Sequence, residues 1–224
     1  MTRIAIHQPN FVPWFPYWEK MASADEFVVL GNAQYSKNGF INRFNINGEW
    51  YTMPVERQVG KPSINDACYQ DVEAGFEDIV AKLEDRGYMS GLTGEVIKGF
   101  IQAGREVRRF KSVGRVNLNI IGYFRRLFGL DDTLLIDDQP MEERGTDRLV
   151  KICTQAGVEN PTYLYGSSAH EYMSYDAFKQ ASVQLEPFEG ENKRSTIEMI
   201  QEYGIDGCKE ILGRRKKDGL SSKL

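Results

Sequence analysis

Directly after the first apolar run of the chain comes His7-Gln8-Pro9-Asn10. The histidine can exchange a proton near neutral pH, and the two amides can each donate and accept hydrogen bonds, a set suited to a planar or phosphorylated ligand. Pro9, Pro13 and Pro16 fix the backbone of the loop HQPNFVPWFP, so these polar groups sit on a stiff segment. The same prolines also serve simple entry into a helix, and a lone histidine is as often structural as catalytic. A second constellation runs Gln34-Tyr35-Ser36-Lys37-Asn38-Gly39-Phe40-Ile41-Asn42-Arg43-Phe44-Asn45. Lys37 and Arg43 suit an anionic group, and the arginine fork can grip a carboxylate or phosphate at two points. If this stretch is a strand, Asn42 and Phe44 point one way while Arg43 and Asn45 point the other and line one pocket wall.

Smaller signals lie elsewhere. Trp14, Tyr17 and Tyr35 offer ring faces for stacking, against the commoner use of aromatics as core. Thr146 and Arg148 near a helix start, and Ser167 with Ser168 after a strand, can bind phosphate because a helix N-terminus presents free N–H groups. For Thr146, capping the helix is an equal alternative.

The elements needed to position these residues can be read from hydrophobic periodicity. Residues 3–6 and 26–30 read as strands with a loop and a helix over 17–22 between them, a β-loop-α-β unit. Asn47-Gly48 separates β-type runs 40–46 and 49–55, the preferred type I′ hairpin turn. Helical spacing covers 72–86, 96–110 and 116–128. From 133 onward strands (133–136, 162–165, 183–187) alternate with helices (146–155, 172–180, 196–212, broken near Gly204). Alternation predicts an α/β fold with a Rossmann-like, mostly parallel sheet, a β-hairpin insertion and several flanking helices. One domain over 1–212 and a frayed basic tail over 213–224 are expected. In such a sheet ligands lie beyond the carboxyl ends of the strands, where both polar constellations would fall.

Composition excludes several classes. Three cysteines without a CxxC pair suggest neither a disulfide framework nor a zinc cage, and point to a reducing compartment. With two histidines, and no GxGxxG, Walker or HExxH signature, no metal and no cofactor are predicted. No long apolar run is present, so a cytoplasmic protein, in the host cytoplasm if viral, without membrane contact is expected. Net charge is −4, but Gly104 to Gly129 holds seven basic residues against Glu106, and Arg214-Arg215-Lys216-Lys217 forms a second basic cluster.

The run IAIHQPNFVPWFPYWEKMASADEFVVL, followed by QYSKNGFINRFNI and a strand ending in Pro54-Val55, resembles the WbqC-like family. The likeness continues through Gly145-Thr146-Asp147-Arg148-Leu149, residues 162–166 and Ser195-Thr196-Ile197-Glu198-Met199-Ile200 before Gly204. The chain departs from the family at Gly31-Asn32, where acidic residues are usual, and in a short 183–195 segment.

The resemblance implies a transferase-like enzyme. One branch of the family implies attachment of an amino acid such as glycine to an activated 5-hydroxymethyl-uracil in phage DNA, a thymidine hypermodification that evades restriction. Another implies work on an amino-sugar nucleotide in surface-polysaccharide biosynthesis, and a third reading is a phospho-ligand-binding module without turnover. In the DNA reading Arg43 and Lys37 take the leaving phosphate, His7 the proton of the amine, and Gln8 and Asn10 the uracil edge. Trp14, Tyr17 and Tyr35 stack on the base, and a basic helix over 105–126 with the basic tail holds the backbone.

Overall fold

The computed structural model describes residues 1–224 apart from 38, 138, 167, 168, 170–172 and 222–224, with the backbone alone for 134–137 and 216–221. Strand β1 (Arg3–His7) is central and parallel to β2 (Glu26–Val29) on one side and β6 (Thr162–Gly166) on the other. Outside these, β5 (Leu134–Asp137) pairs with β2 and β7 (Gln184–Phe188) with β6, again in parallel. The order β5-β2-β1-β6-β7, counted along the chain, is that of a Rossmann-type sheet, and it reverses between β1 and β6. At such a switch point the connections leave β1 and β6 in opposite directions and open a crevice at their carboxyl ends.

Both faces of the sheet are covered, which is why its strands are nearly continuously apolar. Ile4 and Ile6 of β1, Val28 of β2 and Tyr163 of β6 face one core with Leu149 and Ile152 of α5 (Gly145–Gln155) and Phe178 of α6 (Tyr175–Gln180). Ala5, Phe27, Val29 and Leu164, one residue out of phase, face the other core with α1 (Phe15–Ala22) and α7 (Thr196–Ser221). His7 shares the phase of Ala5 and therefore looks toward α1.

Between β2 and β5 the chain inserts a hairpin, β3 (Arg43–Ile46) and β4 (Glu49–Thr52), and three helices, α2 (Val72–Asp85), α3 (Gly91–Glu106) and α4 (Val113–Leu127). Asn47 and Gly48 both take positive φ (49° and 86°), as the type I′ turn requires. The ladder is shorter than the apolar runs predict. Asn42 still pairs across the hairpin, its carbonyl accepting from Met53 N–H and its side chain donating to the Met53 carbonyl (both 2.8 Å), whereas the Phe40 carbonyl accepts from Phe11 N–H of the proline loop (2.9 Å).

The expected basic helix over 105–126 is two helices. A 3-10 turn (Arg108–Phe110) and Lys111 at φ 52° end α3, and the Ser112 hydroxyl accepts from Arg115 N–H (3.3 Å) to start α4. Helix α3 also begins five residues earlier than periodicity alone predicts, behind Ser90. Helix α7 breaks at Gly204 (φ 66°, ψ 179°), and its backbone stays helical to Ser221, past the expected boundary at 213. Among the described residues no helix is long and apolar enough to cross a membrane.

Candidate functional site

A cavity of about 160 Å³ lies at the switch point, walled by His7, Trp14, Tyr17, Lys20, Gly166, Phe188, Gly190 and neighbours. The loop that forms it is held from both sides. Asn117 of α4, fully buried, donates to the Pro9 carbonyl (2.8 Å) and to the Ile41 carbonyl (2.6 Å), and its oxygen accepts from the Tyr69 hydroxyl (2.7 Å). At the other end Phe15 N–H donates to the Arg194 carbonyl, and the Thr196 hydroxyl donates to the Pro13 carbonyl while accepting from Trp18 Nε1. Ser195 and Glu198 cap each other's backbone N–H at the start of α7, so that anchor is itself fixed.

His7 Nδ1 lies 3.0 Å from the Gln8 carbonyl. A carbonyl can only accept, so the proton sits on Nδ1 and Nε2 keeps its lone pair. The ring meets Tyr17 edge-on at 4.8 Å. Burial, then the Lys20 ammonium, push the imidazole down to about 4, against the bond to Gln8 that raises it. Lys20, buried on α1, donates to the Ile6 carbonyl (3.1 Å), and burial pushes its ammonium down to about 8. The Tyr17 phenol is pushed up by burial. Its ring is enclosed by His7, Trp18 and Phe27, so its hydroxyl, rather than a ring face, is what it offers a ligand.

A lowered folded-state pKa means that below about 6.5 the unfolded chain takes up a proton that folded His7 refuses until about pH 4. Stability attributable to His7 is therefore complete above 6.5 and drains away as the pH falls to 4. The expected loss is about 2 kcal/mol, less than the whole shift would give, because His7 is only half-buried and water screens it. Urea unfolding at pH 7 and pH 4 checks this: His7→Gln should lose less stability over that interval than the parent.

The second polar constellation forms a different, larger cleft of about 750 Å³ under the hairpin, lined by Gln34, Tyr35, Lys37, Asn42, Arg43, Arg57, Lys61 and others. Four cationic side chains, Lys37, Arg43, Arg57 and Lys61, line it together with one carboxylate, Glu56. His7, Trp14 and Tyr17 are thus brought together in one cavity, and Lys37, Arg43, Gln34, Tyr35 and Asn42 in another. The two are joined by aromatic rings. Trp14 stacks on Phe40 (6.1 Å, 14°), Phe40 meets Trp50 (5.4 Å), and the Arg43 guanidinium lies over Trp50 (4.1 Å). Phe40 and Trp50 are each 41 % exposed.

The remaining residues sit elsewhere. Asn45 shares the Arg43 face, but its side chain accepts from Gly48 N–H (2.9 Å) and shapes the hairpin turn. Gln8 is half-buried and Asn10 buried, and neither lines the two cavities. The Thr146 hydroxyl accepts from Ser174 N–H (3.0 Å), tying α5 to α6, and Arg148 donates to the Asn32 carbonyl after β2 (3.3 Å). Ser167 and Ser168 lie outside the described residues.

The basic residues divide in the same way. Arg125 caps the end of α4 by donating to the Leu130 and Thr133 carbonyls, and Arg105 pairs with Glu73 (2.7 Å). Arg109 and Arg115 flank exposed Phe110 (4.7 and 4.4 Å), and Lys111 reaches Gln70 and Glu56 on the cleft rim. Two residues that sequence reasoning passed over matter most. Lys20 stands in the apolar face of a helix in WEKMA, where a buried charge is itself the signal. Asn117 sits among the core positions of α4, a polar residue on an apolar stripe.

Fold and cavity together define a parallel α/β protein with a switch-point site of polar, titratable side chains. The sequence matches the WbqC-like protein family over residues 8–195, and the chain belongs to that family. It is also similar to "Uncharacterized protein Rv1507c" of Mycobacterium tuberculosis (strain ATCC 25618 / H37Rv), 23% identical over 205 residues, covering 87% of this chain and 85% of that protein. No solved structure matches.

Proposed function

We propose that this protein is a transferase that joins an amino acid, such as glycine, through its amine to a phosphorylated 5-hydroxymethyl-uracil in phage DNA. One observation carries the reading: a small cavity with a buried lysine and a larger cationic cleft are joined by an exposed run of aromatic rings. Two substrates of different size and charge, with a planar ring passing between them, fit that layout. The amine nitrogen attacks the methylene carbon of the base. A C–N bond forms, the C–O bond to phosphate breaks, phosphate leaves with the electron pair, and the proton shed by the attacking amine passes by way of His7 Nε2 to solvent.

Lys37 and Arg43 suit the departing phosphate, since charge that develops there is stabilised by fixed cations. Trp14, Phe40 and Trp50 suit an extruded base, which stacks on ring faces. Arg109, Phe110 and Arg115 beside the cleft suit the flanking backbone. The family match is compatible with an enzyme.

The test is incubation of the purified protein with isotope-labelled glycine and duplex DNA carrying 5-phosphomethyl-uracil, then nucleoside digestion and mass spectrometry. Label is expected in a new nucleoside, and Arg43→Ala should lower its rate of formation by about a hundredfold or more. No label with any of several amino acids would sink the DNA reading and move the search to an amino-sugar nucleotide.

A further inference from the structure

Two buried donors face the switch-point cavity with too little to donate to. Among the described residues the Tyr17 hydroxyl has no hydrogen-bond partner, and the residue is 1 % exposed. Lys20, 6 % exposed, spends one of its three N–H bonds on the Ile6 carbonyl, and among the described residues no carboxylate lies within ion-pair distance of it. An enclosed ammonium without a counter-ion and an enclosed phenol without an acceptor both cost the fold free energy, which an anion placed between them would offset.

We infer that this cavity binds the carboxylate of a small amino acid, held by the Lys20 ammonium and the Tyr17 hydroxyl. At about 160 Å³ the space falls below the roughly 300–1,000 Å³ of drug-sized ligand pockets and takes only a few heavy atoms. A carboxylate has two acceptor oxygens for the two donors. A phosphate would bring more charge than the site answers, because Lys193 at the mouth is already paired with Glu189 (3.1 Å).

The amino group also finds an acceptor. His7 keeps the Nε2 lone pair because its Nδ1 proton is committed to Gln8, and that lone pair faces the cavity as an acceptor. Trp14 and Phe188 wall the cavity and limit the side chain, which favours glycine or a residue of similar size. The assignment of an amino acid as occupant rests on the transferase reading, where this is the site of the incoming amine. Binding itself needs no DNA.

Calorimetric titration of the purified full chain with glycine, acetate and methylamine tests it. Glycine should bind more tightly than acetate, and methylamine should not bind. Lys20→Met should weaken glycine about tenfold or more and Tyr17→Phe severalfold, the latter removing a single oxygen and leaving the near-ultraviolet circular dichroism unchanged. Acetate affinity should be level below pH 8 and fall about tenfold per pH unit above it, as Lys20 loses its proton. Of the other groups facing Lys20, His7 is neutral over that range, Tyr17 stays protonated, Glu189 and Lys193 pair with each other, and Tyr163 offers its ring at 5.9 Å.

Absence of glycine and acetate binding up to about 10 mM, or parental affinity in both variants, overturns the inference. Label entering DNA without such binding would leave the transferase standing and remove this site. Glycine held through Lys20 and Tyr17 with no label in DNA would do the reverse.

Discussion

Asn117→Ala should lower the stability of the protein by about 3 kcal/mol, because it strips a strong side-chain donor from two buried carbonyls at once. Asn117 has no exposure to water, so water cannot replace the bonds to Pro9 and Ile41, and the Tyr69 hydroxyl, its short bond to Asn117 lost, keeps a long one of 3.5 Å to the Ile41 carbonyl. An orphaned buried group costs about 1–3 kcal/mol, and two carbonyls at the low to middle of that range give the total. Against a domain stability of about 5–15 kcal/mol the fold survives, with its melting temperature lowered by roughly 6–12 °C. The denaturant midpoint should fall with the slope unchanged. Asn117→Leu, which keeps the volume, should cost nearly as much, since the loss is of hydrogen bonds rather than packing. Both bonds end on the loops of the two candidate cavities, Pro9 two residues after His7 and Ile41 two residues before Arg43, so each variant should also impair the proposed glycine transfer at temperatures where it is folded.

The contrast between what the residues foretell and what they hide is sharp around this asparagine. The sheet was legible because its strands carry a local signal: Ile4 and Ile6 against Ala5, or Val28 against Phe27 and Val29, announce two buried faces whatever lies far away. The Asn47-Gly48 turn was legible for the same local reason, since both residues tolerate positive φ. The division of the polar residues into two cavities was not legible. It depends on where the hairpin sits relative to β1, and that is set by Asn117 reaching across from a helix some seventy residues beyond Ile41. Periodicity also cannot say that a cation in an apolar helix face points into a cavity, so Lys20 is not singled out within the helix over 17–22. Across 105–126 the hydrophobic spacing separates two helical segments, and it is the run of basic residues that suggests one continuous basic helix, which the turn at Lys111 and the Ser112 cap interrupt.

Arg215→Ala should cost about 2 kcal/mol and loosen the mouth of the switch-point cavity. By composition Arg215 belongs to a basic tail suited to a DNA backbone. In the fold its guanidinium is drawn inward, 3.1 Å from Glu191, 3.3 Å from the Glu189 carbonyl and 3.9 Å from the fully buried carboxylate of Glu19. Glu19 in turn accepts from the Asn192 side chain (2.7 Å), and Gly190 passes so close to Pro16 that an added Cβ would lie 2.4 Å from it. Arg215 and Glu19 therefore clamp residues 189–192, which carry part of the cavity wall, onto the start of α1. Removing one partner of a buried pair costs about 3–5 kcal/mol. The smaller figure applies here because the closest approach to Glu19 is long, Asn192 remains bonded to it, and Arg215 keeps 20% of its side chain in water. The two roles separate cleanly by salt. If Arg215 neutralises a DNA phosphate, removing it lowers the slope of log affinity against log salt by about one, whereas opening the clamp leaves that slope unchanged and weakens glycine binding. An unchanged slope with a lower denaturant midpoint, and weaker binding of the glycine inferred for the cavity, is the expected result. A slope reduced by about one with parental stability would return Arg215 to the nucleic-acid surface.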